Sequence, residues 1–79
     1  MARVLLFGRL SDVAGWRDRQ VESPFLSALR AKLADEDAVL GEALAGRGVQ
    51  VALDQMIVRG DAPLTAATEV AVLPPMSGG

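Results

Sequence analysis

The sequence predicts an α+β domain in which one main helix lies across a small mixed sheet. Three observations carry this expectation. The two most apolar short runs, Val4-Leu5-Leu6-Phe7 and Val70-Ala71-Val72-Leu73, stand near opposite ends of the chain, as two central strands paired side by side would require. Between them Leu26, Leu29 and Leu33 recur at spacings of three and four, the period of a helix with one apolar face. The other apolar runs are short and broken by Gly, Pro and Asp, which suits strands joined by turns. A helix packed across one face of a mixed sheet is the smallest arrangement that buries the apolar side of both.

Each element has its own warrant. Residues 3–7 read as a first strand with no clean alternation, fit for a central position covered on both faces or for one whose outer side meets a partner. Residues 10–15 mix polar and small side chains and read as a connection, with Asp12 capping a short turn. Residues 16–23 read as a second, edge strand, because polar residues surround Val21 and keep its open side charged. Trp16 is expected to be partly buried at its start. Ser23-Pro24 then looks like a helix start, Ser serving as N-cap and Pro in the first helical position. The main helix is expected over residues 24–34. Asp35-Glu36-Asp37 marks its boundary and caps a second, shorter helix built on Val39, Leu40, Ala43 and Leu44, which Gly46 and Gly48 end.

Residues 49–53 form a third strand, Asp54-Gln55 a tight connection and residues 56–58 a short fourth strand. The turn-rich stretch 60–64 ends in Leu64, placed to plug the core from a loop. Residues 69–73 make the last strand. The order is β-β-α-(α)-β-β-β, with four to five strands, one main helix and one short helix: the β-grasp, or ubiquitin-like, arrangement. A ferredoxin-like βαββαβ domain is the rival. It needs a long second helix just before the last strand, and residues 60–68 are too short and too rich in turn residues to supply one.

Composition narrows the chemistry. The chain has 79 residues, no cysteine, no histidine and a formal charge of −2. That length allows one small domain with a modest core. Thiolate metal sites, disulfides and a cysteine nucleophile are excluded, and the commonest general base near neutral pH is missing. No metal site is expected. The basic residues are scattered, which argues against nucleic acid. No stretch approaches the ~20 apolar residues of a membrane span, so a cytoplasmic protein is the default.

The ending is the most distinctive stretch. The domain is expected to occupy residues 1–73. Pro74 and Pro75 stop strand pairing, because proline has no N–H to donate. Residues 74–79 then form a thin, flexible tail, Pro74-Pro75-Met76-Ser77-Gly78-Gly79. From Pro75 to Gly79 an extended chain reaches about 14 Å. Glycines pass through channels too narrow for a side chain, so the carboxyl carbon of Gly79 is the atom of interest. By themselves two terminal glycines are equally compatible with a frayed terminus.

Set against known families, the whole chain closely resembles the small subunits of molybdopterin synthase, which are ubiquitin-like sulfur carriers. Val4-Leu5-Leu6-Phe7 matches the family's first strand, and Val13-Ala14-Gly15 the segment after it. Pro24, Leu26, Leu29 and Leu33 match its helix, Leu53-Asp54-Gln55 its turn, and Pro63-Leu64 the pair before its last strand. The run from Glu69 through Pro74-Pro75 to Gly78-Gly79 matches the family's ending in order and position. Two departures stand out. Val72-Leu73 replaces an aromatic pair, and Asp54 replaces an Asn, which puts in doubt any hydrogen bond donated from that side chain.

The resemblance implies a function. In the family, an adenylyltransferase resembling ubiquitin-activating enzymes uses ATP to join AMP to the terminal carboxylate. A sulfurtransferase or cysteine desulfurase supplies sulfur, and a thiocarboxylate forms at the position of Gly79, with Gly78 in the tail beside it. The large synthase subunit, in an expected heterotetramer, takes in the tail, and sulfur passes to a cyclic pyranopterin precursor of the molybdenum cofactor. The carrier binds no permanent cofactor, holds AMP and sulfur only transiently, and is the non-catalytic, sulfur-donating subunit. The family docks its large subunit through an apolar patch beside the tail. Here that implies Phe7, Ile57 and Leu73, with Pro74, Pro75, Met76 and Ser77 following the tail into the partner. Core packing is the competing reading for Phe7 and Leu73. Arg9 and Arg59 are candidates for ion pairs with the partner. The alternatives are a carrier for thiamine or another sulfur-transfer pathway, and a ubiquitin-like binding domain with an inert tail.

Overall fold

The first and last strands, β1 (Ala2–Leu6) and β5 (Glu69–Leu73), lie side by side and parallel at the middle of the molecule. The computed structural model describes residues 1–75. The expectations for Met76, Ser77, Gly78 and Gly79 therefore lie outside the described residues. Between the two strands come α1 (Arg9–Ala14), β2 (Asp18–Val21), α2 (Leu26–Glu36), α3 (Ala38–Leu44), β3 (Gln50–Leu53) and β4 (Met56–Val58). The five strands form one sheet in the order β2-β1-β5-β3-β4. Every neighbouring pair except β1–β5 is antiparallel. This is the β-grasp fold.

One core holds it together. Val4 and Leu6 of β1, Val70 and Val72 of β5 and Val51 of β3 bury against Leu26, Leu29 and Leu33 of α2 and Leu40 and Leu44 of α3. Leu64 reaches the same cluster from a loop, as its position between turn residues suggests. α2 and α3 pack so closely that a Cβ on Gly41 would come within 2.5 Å of the Ala34 Cβ. Trp16 is half-buried against this core and stacks under the Arg19 guanidinium, 5.4 Å from the ring centre.

Local chemistry set several boundaries. Asp37 caps α3 through its own side chain, which accepts from the N–H groups of Val39 and Leu40, as the acidic run predicts. β3 and β4 are joined by Asp54 and Gln55 at φ 49° and 71°, the pair of left-handed residues that a tight two-residue hairpin uses. Asp54 Oδ1 also accepts from the Glu69 N–H at 2.9 Å, tying the hairpin to the start of β5. The side chain acts as an acceptor, so the Asp in place of Asn loses nothing at this contact.

Other boundaries are corrected. Residues 9–14 form a helix, α1, where the sequence suggests a connection. Six residues cannot hold a helix in water by themselves; Leu10 holds this one by burying in the core, with Val13 and Ala14 packed beside it. Asp12 lies inside the first turn, and the helix has no side-chain N-cap. The main helix begins at Leu26, two residues later than the Ser23-Pro24 signal indicates, and runs on to Glu36. Tertiary pairing takes the expected start: Phe25 bridges Pro63, and the Leu64 N–H donates to the Pro24 carbonyl. The Ser23 hydroxyl donates to the Phe25 carbonyl and caps nothing. Instead the loop before Leu64 caps α2. Ala62 O accepts from the Leu26 N–H, and Asp61 accepts from both the N–H and the hydroxyl of Ser27 at 2.8 Å. The second strand is shorter than residues 16–23 and lies at the sheet edge as expected. The first strand ends at Leu6, one residue before Phe7.

Candidate functional site

Strand residues alternate between the faces of a sheet, and here only one face is covered by helices. Val4, Leu6, Val70, Val72 and Val51 point into the core, so Leu5, Phe7, Ala71, Leu73 and Ala52 belong to the other face. The register aligns them. Leu5 pairs with Ala71, Ala71 with Ala52, and Ala52 with Ile57. A continuous apolar row therefore crosses four strands on the uncovered face. Ala52 and Ala71 form its recessed floor, while Phe7 is 44% exposed and Ile57 50% exposed.

Phe7 and Leu73 meet at one end of this row. The Phe7 N–H still donates to the Val72 carbonyl, so the ladder carries Phe7 to the side of Leu73 before Gly8 turns the chain away. Leu73 is half-buried and pairs with Gln50. Ile57 lies two strands away from Leu73 on the edge strand β4. The three residues singled out from the sequence thus share one face. Leu5, Ala52 and Ala71, which join them, were missed. Their signal was present as the alternate set within each apolar run, hidden because the core set is apolar too.

The polar rim is modest. Arg3 and Asp18 form a forked ion pair on the same face, with contacts of 2.6 and 3.1 Å. The Arg3 hydrogen bonds hold the Asp18 carboxyl below its ordinary value. Both side chains are about half exposed, 55% and 48%, so the pair orders the rim more than it stabilises the fold. Arg9 and Arg59 are exposed: Arg59 borders a shallow groove with Ile57, and Arg9 a groove with Pro74 and Pro75.

The last strand ends beside Phe7, so Pro74 and Pro75 leave the body at the edge of the apolar face. Met76, Ser77, Gly78 and Gly79 follow them in sequence and are not among the described residues. Among the described residues, no three His, Cys, Asp or Glu side chains come together in a group able to hold a metal ion. No helix there is long and apolar enough to cross a membrane.

Comparison with known proteins agrees with this architecture. The ThiS family model matches residues 4–79. The molybdopterin synthase sulfur carrier subunit of Escherichia coli is 33% identical over the full length of both chains. Among solved structures, small archaeal modifier protein 1 of Methanosarcina acetivorans superposes with a TM-score of 0.86 at 19% identity, covering 99% of this chain and 95% of that one. The corresponding protein of Haloferax volcanii gives 0.85 at 23% identity, covering 99% and 98%. The structural likenesses show the fold; the family match and the full-length relative show that the chain belongs to the ThiS family of ubiquitin-like sulfur carriers.

Proposed function

We propose that this chain is the sulfur carrier subunit of a cytoplasmic molybdopterin synthase, and that Gly79 carries the sulfur. One observation supports this reading above the others. The central β1–β5 pairing delivers the end of β5, and hence Pro74-Pro75, to the border of an apolar face that no described element covers. A face of this kind suits docking, and a chain leaving its border reaches into whatever is docked. The full-length likeness to the Escherichia coli carrier subunit supports the choice of pathway.

The chemistry follows from the terminal carboxylate. A carboxylate is a poor electrophile. Attack of its oxygen on the α-phosphorus of ATP, within an adenylyltransferase, releases pyrophosphate and leaves an acyl adenylate. AMP is then a good leaving group. The outer sulfur of a persulfide on a sulfurtransferase or cysteine desulfurase displaces AMP at the carboxyl carbon. A reducing thiol then cleaves the resulting acyl disulfide, forming a new disulfide with the donor and leaving a thiocarboxylate. Its sulfur is the nucleophile that the large synthase subunit directs at the cyclic pyranopterin precursor. The carrier contributes the reach of its tail, the docking face with Phe7, Ile57 and Leu73, and a terminus without side chains at Gly78 and Gly79. The partners supply the acids, bases and nucleotide site. Met76 and Ser77 enter the partner channel between the prolines and the glycines.

The likeness in fold to small archaeal modifier proteins favours one second reading, a carrier serving another sulfur-transfer or protein-modifying pathway. Intact-protein mass spectrometry tests the proposal. After incubation with ATP, the adenylyltransferase and a sulfur source, the chain should gain the mass of one oxygen replaced by sulfur, localised to its last residues. Deleting Gly79 should abolish that gain and all product formation without changing the fold. A full-length chain that stays unmodified while an authentic carrier is converted sinks the proposal. Conversion without pyranopterin product, in the presence of the large subunit, selects the second reading.

A further inference from the structure

Two glycines outside the tail stand directly against its two prolines. Gly8, between β1 and α1, has φ 57° and ψ −132°. A Cβ added there would lie 3.1 Å from the Pro74 Cγ. Gly48, between α3 and β3, has φ 86°, and a Cβ added there would lie 2.8 Å from the Pro75 Cβ and 3.6 Å from its Cα. Gly15 and Gly60 also have positive φ, 82° and 84°, yet an added Cβ at either would meet nothing within 4 Å. The backbone alone explains glycine at those two positions. At Gly48 the backbone and the proline both require it, and at Gly8 the backbone requires it while an added Cβ would press on the Pro74 ring.

We infer that Gly8 and Gly48 are positioning residues: two side-chain-free surfaces that seat Pro74 and Pro75 and set the direction in which the tail leaves the domain. Proline has a fixed φ, so two prolines held at two points define an axis. Val49, Leu10 and Val13 continue the same wall along a groove of about 730 Å³ that the prolines border. Four residues carry the chain from Pro75 to the terminal carboxyl, a reach of about 14 Å when extended. A tilt of roughly 10° at the seat moves the far end of such a segment by about 2 Å, and misplacement on that scale costs rate steeply. The catalytic consequence rests on the sulfur-carrier reading. The seat itself is a property of the free chain.

The test compares Gly48→Ala, Gly8→Ala and Pro75→Gly with Gly15→Ala, which carries the backbone penalty without a proline contact. In the free protein, nuclear Overhauser contacts should link Gly48 to Pro75 and Gly8 to Pro74. Gly48→Ala should displace Pro75 and shift the resonances of residues 75–79, while contacts among Val4, Val70 and Leu29 persist. With the adenylyltransferase, Gly48→Ala should lower kcat on the order of tenfold and change KM less than about twofold, since the apolar docking face is untouched. Pro75→Gly, which removes the ring from an exposed position, should lose a similar factor, and combining it with Gly48→Ala should lose no more than the larger single change. Unchanged contacts at Pro75, a kcat loss in Gly15→Ala as large as in Gly48→Ala, or a rise in KM alone would each overturn the inference. If the wild-type chain is not adenylated, the sulfur-carrier reading fails, and the seat is decided by the Overhauser contacts alone.

Discussion

The two faces of the sheet are made from the same strands and are both apolar, yet they do different things. On one face Val4, Val70 and Leu6 are almost fully buried under α2 and α3. On the other, Leu5, Phe7, Leu73 and Ile57 line up with no described element packed over them. Hydrophobicity alone does not separate a core from an interface. What separates them is whether the chain has an element left to cover the surface. Both long helices are spent on one face, and α1 fills the gap at its end. The face left open borders the point where the chain exits.

The sharpest way to break this comparison is to truncate one large side chain on each face. Leu29→Ala removes a residue that is 1% exposed at the centre of the covered face. It should cost about 3 kcal/mol. A domain of this size has roughly 4–12 kcal/mol in total, so urea unfolding should show a large drop in midpoint. On the open face, Phe7→Asp should leave far-UV circular dichroism and the unfolding midpoint nearly unchanged while weakening association with the large subunit at least tenfold. If Phe7→Asp unfolds the chain, the face is core after all, and the contrast between the two sides collapses.

Two smaller effects sharpen how the covered face is held in place. Asp61 draws its loop onto the start of α2, and the Ser27 backbone N–H, followed by the Ser27 hydroxyl, holds its carboxyl below the ordinary 3.8. A folded-state value lower than the unfolded one means that the ionised form stabilises the fold. This contribution is complete above the ordinary value and fades as pH falls through the lower, folded one. Asp61→Ala should therefore lower the thermal midpoint by about 5 °C near neutral pH. The gap from wild type should begin to narrow as pH falls below 3.8 and close once pH is below the lower, folded value. A gap that persists in strong acid would show that the carboxylate is not the cap.

The smallest effect belongs to Asp54. An Asn at this position keeps an acceptor for the Glu69 N–H and suits the left-handed backbone equally well. Asp54→Asn should change stability by no more than about 0.5 kcal/mol and leave sulfur transfer nearly intact. A loss of turnover on the order of 100-fold with a normal fold would give Asp54 a role beyond tying the β3–β4 hairpin to the start of β5.

The sequence by itself determined whatever depends on neighbours along the chain. Continuous apolar runs placed β1 and β5, and hydrophobic period placed the leucine face of α2. Asp37 capped α3 from within three residues, and the Asp54-Gln55 hairpin followed from two adjacent residues. The shared face of Phe7, Ile57 and Leu73 was reached too, through the resemblance of the ending. Tertiary structure decided the rest, because the deciding partners are far away in sequence. Pro24 and Phe25 looked helical until residues 63 and 64 claimed their backbone, and the cap of α2 came from Asp61, 34 residues from Ser27. Residues 9–14 became a helix only because the core offered Leu10 a place. Gly8 and Gly48 carry no local sign of their contact with Pro74 and Pro75. Local patterns encode backbone preference and the period of burial. They do not encode which distant group satisfies a helix end or which surface a missing Cβ leaves open, and those contacts exist only once the chain has closed on itself.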